Sequence, residues 1–128
     1  DKGWRVTGIE LDPAACRAAR RRAPSGARIL EGRVEDRLPE ALPADLVLVN
    51  PPRPGLGPGV VRALLATPPP RVLYVSCNPA TLARDLRALG ARYAVDSLRC
   101  FDLFPETAHV ETVVALRDRE PRVSVEGA

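Results

Sequence analysis

The sequence predicts an α/β domain, doubly wound, with a mostly parallel sheet that ends in an antiparallel hairpin. Three observations carry that prediction. Strand-like and helix-like segments alternate along the chain, as they do when helices cross over between parallel strands. Leu46 to Val49 and Val72 to Val75 are apolar at every position, the pattern of strands covered on both faces. The last two strand-like runs are joined by too few residues for a helical crossover, which makes them an antiparallel pair at the sheet edge.

Val6 to Leu11 reads as a short strand carrying Glu10 near its end. Asp12-Pro13 then opens a helix to about Ala23: the aspartate caps, and the proline sits where its missing N–H costs nothing. Pro24 and Gly26 stop that helix before a second strand, Arg28 to Leu30, and Arg33 to Leu42 forms a short helix. The strand Leu46 to Val49 runs into Asn50-Pro51-Pro52-Arg53-Pro54-Gly55. Val60 to Ala66 is a helix cut off by Pro68-Pro69-Pro70, and the strand Val72 to Val75 ends at Ser76-Cys77-Asn78-Pro79. A longer helix spans Ala80 to Leu89, with Leu82, Leu86 and Leu89 on one side and Arg84, Asp85 and Arg87 mostly elsewhere. Tyr93 to Phe101 and His109 to Leu116 are the final strands. Residues 1–117 are thus read as the domain and 118–128 as a flexible tail.

With 128 residues and 45% apolar content, the chain is the size of one globular domain. Its formal charge of +3 points only weakly to an anionic partner. Cys16, Cys77 and Cys100 are odd in number and far apart, which suits neither a disulfide framework nor a paired zinc motif and fits a reducing, cytoplasmic setting. No run reaches the length of about 18 apolar residues expected of a membrane span. Cys16 and Cys100 are expected to be small buried hydrophobes.

In sheets of this kind ligands gather beyond the carboxyl ends of the strands. The sequence places its least ordinary residues there. Glu10 can accept two hydrogen bonds from a ribose diol, or be a solvated strand-end acid. Asp36 can reach an adenine amino group from the loop after the second strand, or, like its neighbour Glu35, face water. Prolines after Asn50 make a rigid bend that holds its amide for a cofactor's amino acid moiety or a base edge. Arg53 can meet a phosphate or a substrate carbonyl, or cover the sheet rim. Cys77, between Ser76 and Asn78-Pro79 at a strand-to-helix turn, is a nucleophile or a structural thiol; a helix N-terminus stabilises the anionic form that nucleophilic attack needs. His109 and Glu111 share a strand face and are either groups at the crevice mouth or exposed edge residues. Neither a Gly-x-Gly-x-x-Gly nor a Walker pattern occurs.

Three segments together resemble the RNA uracil-C5 methyltransferase family: Val49-Asn50-Pro51-Pro52-Arg53; Tyr74-Val75-Ser76-Cys77-Asn78-Pro79 continuing through Thr81-Leu82-Ala83-Arg84-Asp85; and Phe101-Asp102-Leu103-Phe104-Pro105-Glu106-Thr107-Ala108-His109-Val110-Glu111. Val6 to Glu10 matches the family's second-strand pattern. The resemblance implies a class I, Rossmann-like methyltransferase fold, S-adenosyl-L-methionine as cofactor, and a target uridine in ribosomal or transfer RNA. It implies Cys77 as nucleophile and Glu111 as the proton-abstracting base. Glu10, Asp36 and Asn50 fall on the cofactor side; Arg53, Asn78 and His109 fall on the substrate side. Asn50 stands where many members have aspartate. The resemblance also implies a first strand and a glycine-bearing cofactor loop ahead of Val6, so a preceding segment or a partner chain is expected to complete the sheet.

Three rival functions differ in kind. One is methyl transfer to another RNA atom or a small molecule; another is a noncatalytic RNA-binding or assembly remnant. A cysteine hydrolase is the weakest, since it has no evident oxyanion site and no use for Glu10.

Overall fold

A computed structural model describes residues 3–103, 106 and 110–121. The described chain divides into two compact units, with the boundary between Leu42 and Pro43.

In the first unit, β1 (Thr7–Glu10) and β2 (Arg28–Glu31) pair in parallel, with Thr7 opposite Arg28 and Glu10 opposite Glu31. The crossover is α1 (Pro13–Arg22). Its start follows from the sequence: the Asp12 carboxylate accepts the Ala14 N–H at 2.9 Å and Pro13 takes the first helical position. Arg20, Arg21 and Arg22 in the last turn complement the helix dipole. Cys16 is fully buried, and its thiol donates to the Glu10 carbonyl at 3.2 Å. Burial, then the nearby Glu31, pushes that thiol above its usual range, so Cys16 is the packing cysteine it was expected to be. Gly8 lets β2 approach: a Cβ there would lie 3.1 Å from Ile29 Cδ1. α2 (Val34–Ala41) follows β2, with Leu38 buried.

The second unit is a four-stranded sheet of order β3-β4-β6-β5. β3 (Leu46–Val49) and β4 (Arg71–Ser76) are parallel and joined by α3 (Pro58–Ala66). After α4 (Pro79–Leu89), β5 (Tyr93–Phe101) and β6 (Glu111–Asp118) form the expected antiparallel pair. β6 sits between β4 and β5 and is antiparallel to both. Val72 and Tyr74 of β4, Val114 and Leu116 of β6, Leu64 of α3 and Leu89 of α4 are all buried to within a few per cent and form the core. Tyr93 is buried too, its hydroxyl donating to the Pro69 carbonyl at 2.8 Å.

Four expectations change. β3 is not buried on both faces: Leu46 and Leu48 are 41% and 63% exposed, while Val49 is buried. Cys100 is exposed, not buried, because it lies on β5, the outermost strand. β6 extends to Asp118, and residues 118–120 are anchored: the Arg92 guanidinium donates to Asp118 at 2.6 and 3.1 Å and to the Glu120 carbonyl at 2.7 Å. The segment read as a tail therefore begins in ordered structure. Asp85 lies on the buried side of α4, 1% exposed.

The Asp118 pair has a testable pH signature. Hydrogen bonds from Arg92 hold the buried Asp118 carboxyl below its usual value of 3.8. Because the folded-state value is the lower one, the pair's contribution is complete above 3.8 and is lost as pH falls through the depressed folded value. Asp118→Asn should lower stability at neutral pH by about 1–3 kcal/mol. Denaturant unfolding at a series of pH values should show variant and parent converging only in that acid range; a constant difference down to the lowest pH contradicts it.

Candidate active site

The register of the second unit determines which predicted residues meet. β3 and β4 are parallel with Val49 opposite Tyr74, so Asn50 and the Ser76–Asn78 turn leave the sheet at the same end. β6 is antiparallel to β4 with Ser76 opposite Thr112. The ladder ends with that pair: Cys77 is the residue that follows β4, and Glu111 is the first residue of β6. Asn50 and Arg53 are exposed on this rim, whereas Cys77, Asn78 and Glu111 are half-buried.

The turn around Cys77 is held from both sides. Ser76 Oγ accepts the Asn78 N–H at 3.1 Å and donates to the Asn78 carbonyl at 3.0 Å, bracketing the cysteine. Asn78 is the N-cap of α4: its Oδ1 accepts the Ala80 and Thr81 N–H groups at 3.0 and 3.5 Å. Those amides are thus engaged by Asn78, and the helix acts on Cys77 only through the remaining field of its N-terminus. Part of Asn78's role is therefore architectural, and its Nδ2 also points to the Arg53 carbonyl at 3.4 Å.

The proline loop is tied to the same helix. The Arg53 carbonyl accepts Thr81 Oγ1–H at 2.9 Å, and the Pro54 carbonyl accepts Arg84 Nη2–H at 2.6 Å. The Leu56 N–H donates to Asp85 Oδ2 at 2.8 Å, and the Tyr74 hydroxyl donates to the same oxygen at 2.6 Å. Arg84 completes the set, reaching Asp85 Oδ1 at 3.0 and 3.2 Å. Burial, together with Asp85, drives the Tyr74 hydroxyl well above its usual range, so it remains a donor. Gly55 closes the Pro52 turn at 2.8 Å with φ +79, and a Cβ there would fall 2.5 Å from Asp85 Oδ2. Sequence reasoning assigned no role to Gly55, Tyr74, Thr81, Arg84 or Asp85. The available signal was the i, i+3, i+7 spacing of Leu82, Asp85 and Leu89, which puts an acid in an apolar stripe.

The first unit carries Glu10 at the carboxyl end of β1. It is exposed, with Oε1 accepting the Asp12 N–H at 2.9 Å. Asp36 is exposed in the first turn of α2 and not in the loop before it. His109 lies outside the described residues. Among the described residues no cluster of three or more His, Cys, Asp or Glu could hold a metal ion, and no helix is long and apolar enough to cross a membrane.

The chain is similar to known proteins. The sequence model of the tRNA (uracil-5-)-methyltransferase family matches residues 28–119. An uncharacterised RNA methyltransferase of Nitratidesulfovibrio vulgaris is 42% identical over 127 residues, covering 90% of this chain and 27% of the relative. Another from Gloeobacter violaceus is 47% identical over 116 residues, covering 87% and 25%. The chain thus spans about a quarter of the length of these curated relatives. Among solved structures, the Pyrococcus abyssi tRNA (uracil-54, C5)-methyltransferase in complex with S-adenosyl-L-homocysteine superposes with a TM-score of 0.78 at 35% identity, covering 90% of this chain and 29% of that one. The Bradyrhizobium japonicum N-methyltransferase NodS, at 15% identity, 91% and 67% coverage and a TM-score of 0.68, shares the fold alone. The fold is that of the class I methyltransferases, and a family match over residues 28–119 shows that the chain belongs to the tRNA (uracil-5-)-methyltransferase family.

Proposed function

We propose that this chain is the catalytic part of an enzyme that methylates C5 of uridine in ribosomal or transfer RNA, using S-adenosyl-L-methionine and a covalent Cys77 adduct. The observation that carries the proposal is the β4–β6 register, which runs Cys77 and Glu111 to adjoining strand ends. The reaction needs a nucleophile and a base on one rim, and this pair meets that need.

Uracil C5 is too weakly nucleophilic to take a methyl group unaided. The Cys77 thiolate attacks C6, forming a C–S bond and pushing the C5=C6 electron pair into an enolate with density at C5. Bound S-adenosyl-L-methionine supplies the electrophilic methyl group for C5. The adduct then carries both the new methyl and the original C5 hydrogen. Glu111 removes that proton, the C5=C6 bond re-forms, and Cys77 leaves as the thiolate. Arg53 and Asn50, exposed at the rim, are placed to orient the base or its phosphate, which restricts the attack geometry. A stacked uridine has to be turned out of its helix for ring-face attack.

Glu10 suits the cofactor's ribose. A carboxylate offers about four lone-pair sites, and Asp12 N–H engages one oxygen, so acceptors remain for a diol. Asp36 on α2 is the proposed adenine contact, and Asn50 the contact to the cofactor or the base edge.

Two results are expected in the full-length protein. Cys77→Ala should abolish methylation and any covalent RNA adduct, whereas Glu111→Gln should permit attack and methyl transfer but block elimination, so a methylated protein–RNA adduct accumulates in denaturing gels. Methylation retained by Cys77→Ala contradicts the reading. Separately, Glu10→Ala should weaken cofactor binding about tenfold or more, the loss of a charge-assisted bond, with RNA affinity unchanged. Calorimetry that shows equal cofactor affinity removes Glu10 from the ribose role.

A further inference from the structure

Arg84 and Asp85 lie in the second turn of α4, and both bind the backbone of the proline loop. Asp85 is 1% exposed and binds the Leu56 N–H, the Tyr74 hydroxyl and the Arg84 guanidinium. Arg84, whose side chain is 57% exposed, spans from Asp85 to the Pro54 carbonyl at 2.6 Å and the Leu56 carbonyl at 3.4 Å. The same helix starts immediately after Cys77. α4 is therefore a rigid bar that carries the cysteine turn at one end and grips the Arg53–Leu56 backbone one and two turns later.

We propose that Asp85 and Arg84 act as a positioning pair that keeps the Asn50–Arg53 loop in register with Cys77. The proposal rests on the uracil reading for what the loop positions. A buried acid is a poor means of stabilisation alone, since an apolar residue of similar size often does as well. Its charge is explained if one loop N–H, a tyrosine and the arginine that grips two loop carbonyls must be held in one geometry. Gly55 agrees: its Cβ-free backbone lets Asp85 reach past the turn to Leu56.

The test uses the full-length protein with Asp85→Asn and Arg84→Lys. Asparagine keeps the shape and one acceptor for Tyr74 and Leu56, but turns an NH2 group or a weaker acceptor toward Arg84. Lysine keeps the charge and loses the fork. Each variant should lower kcat about tenfold or more, with the KM for cofactor changing no more than about threefold, since misplacement of the loop affects the reacting geometry. The double variant should be no worse than Asp85→Asn to within about twofold, because the two side chains act as one unit. Melting curves supply the folded fraction at assay temperature. If Asp85→Asn does not fold, Arg84→Lys decides: a purely structural role predicts almost no effect from an exposed arginine. A kcat within about twofold of the parent, or additive losses, or losses that only follow the unfolded fraction, overturns the proposal. Amide exchange at Leu56 reads the tether without turnover and should rise in Asp85→Asn while exchange in β4 stays unchanged; unchanged exchange at Leu56 also overturns it. Product analysis of the parent separates the two claims, since absence of 5-methyluridine sinks the uracil reading and leaves the amide-exchange comparison, which needs no turnover, intact.

Discussion

Three donors from separate stretches of chain converge on the carboxylate of Asp85: the Tyr74 hydroxyl from β4, the Leu56 amide after the proline loop, and the Arg84 guanidinium beside it. The placement of the proline loop depends on this convergence. β3 ends at Val49, and from there the chain has no ladder to follow until α3 begins at Pro58. Prolines 51, 52 and 54 restrict φ in that interval but supply no N–H groups, so rigidity alone does not say where the loop lies. Hydrogen bonds to α4 do. Loss of the carboxylate would leave a buried amide and a buried hydroxyl seeking partners, each at a cost of about 1–3 kcal/mol.

The arrangement separates two tasks. The sheet of the second unit, with Val72, Tyr74, Val114 and Leu116 buried at its centre, sets the register that aligns the end of β4 with the start of β6. The polar shell around α4 then places the loop against that frame. Tyr74 belongs to both, with its ring in the core and its hydroxyl on Asp85. Such a division explains how a half-buried nucleophile at a strand end can be held still. Ser76 and Asn78 bond within the turn, and Thr81 ties it to the Arg53 carbonyl, so the backbone on both sides of Cys77 is fixed.

Much of the fold was legible because its signals are local. The continuous apolar runs gave β3 as Leu46–Val49, and the span Tyr93–Phe101 was read correctly as β5. The strand read as His109 to Leu116 is displaced at its end: β6 continues to Asp118 because Arg92, far away in sequence, neutralises a buried acid that otherwise looks like a loop residue. For the same reason Asp85 was assigned to the polar side of its helix. A charged letter reads as solvent-facing until its partners are known, and Leu56 and Tyr74 lie 29 and 11 residues away. Cys77 stood out from its neighbours in the chain. The adjacency of the end of β4 and the start of β6 did not, since it depends on β6 inserting beside β4, and no periodicity reports which strand a hairpin will pair with.

The central chemical claim is that Cys77 bonds to uracil C6 during turnover, and a fluorine at C5 isolates that step. After methyl transfer such a base carries fluorine and methyl at C5 and no hydrogen, so Glu111 has no proton to remove and Cys77 cannot leave by elimination. The most direct measurement is mass spectrometry of nuclease- and protease-digested full-length protein after incubation with cofactor and 5-fluorouridine-substituted RNA. The account predicts a methylated fluorouridine adduct on the peptide containing Cys77. Recovery of that peptide unmodified, with the RNA methylated elsewhere or the adduct on Cys16 or Cys100, contradicts it.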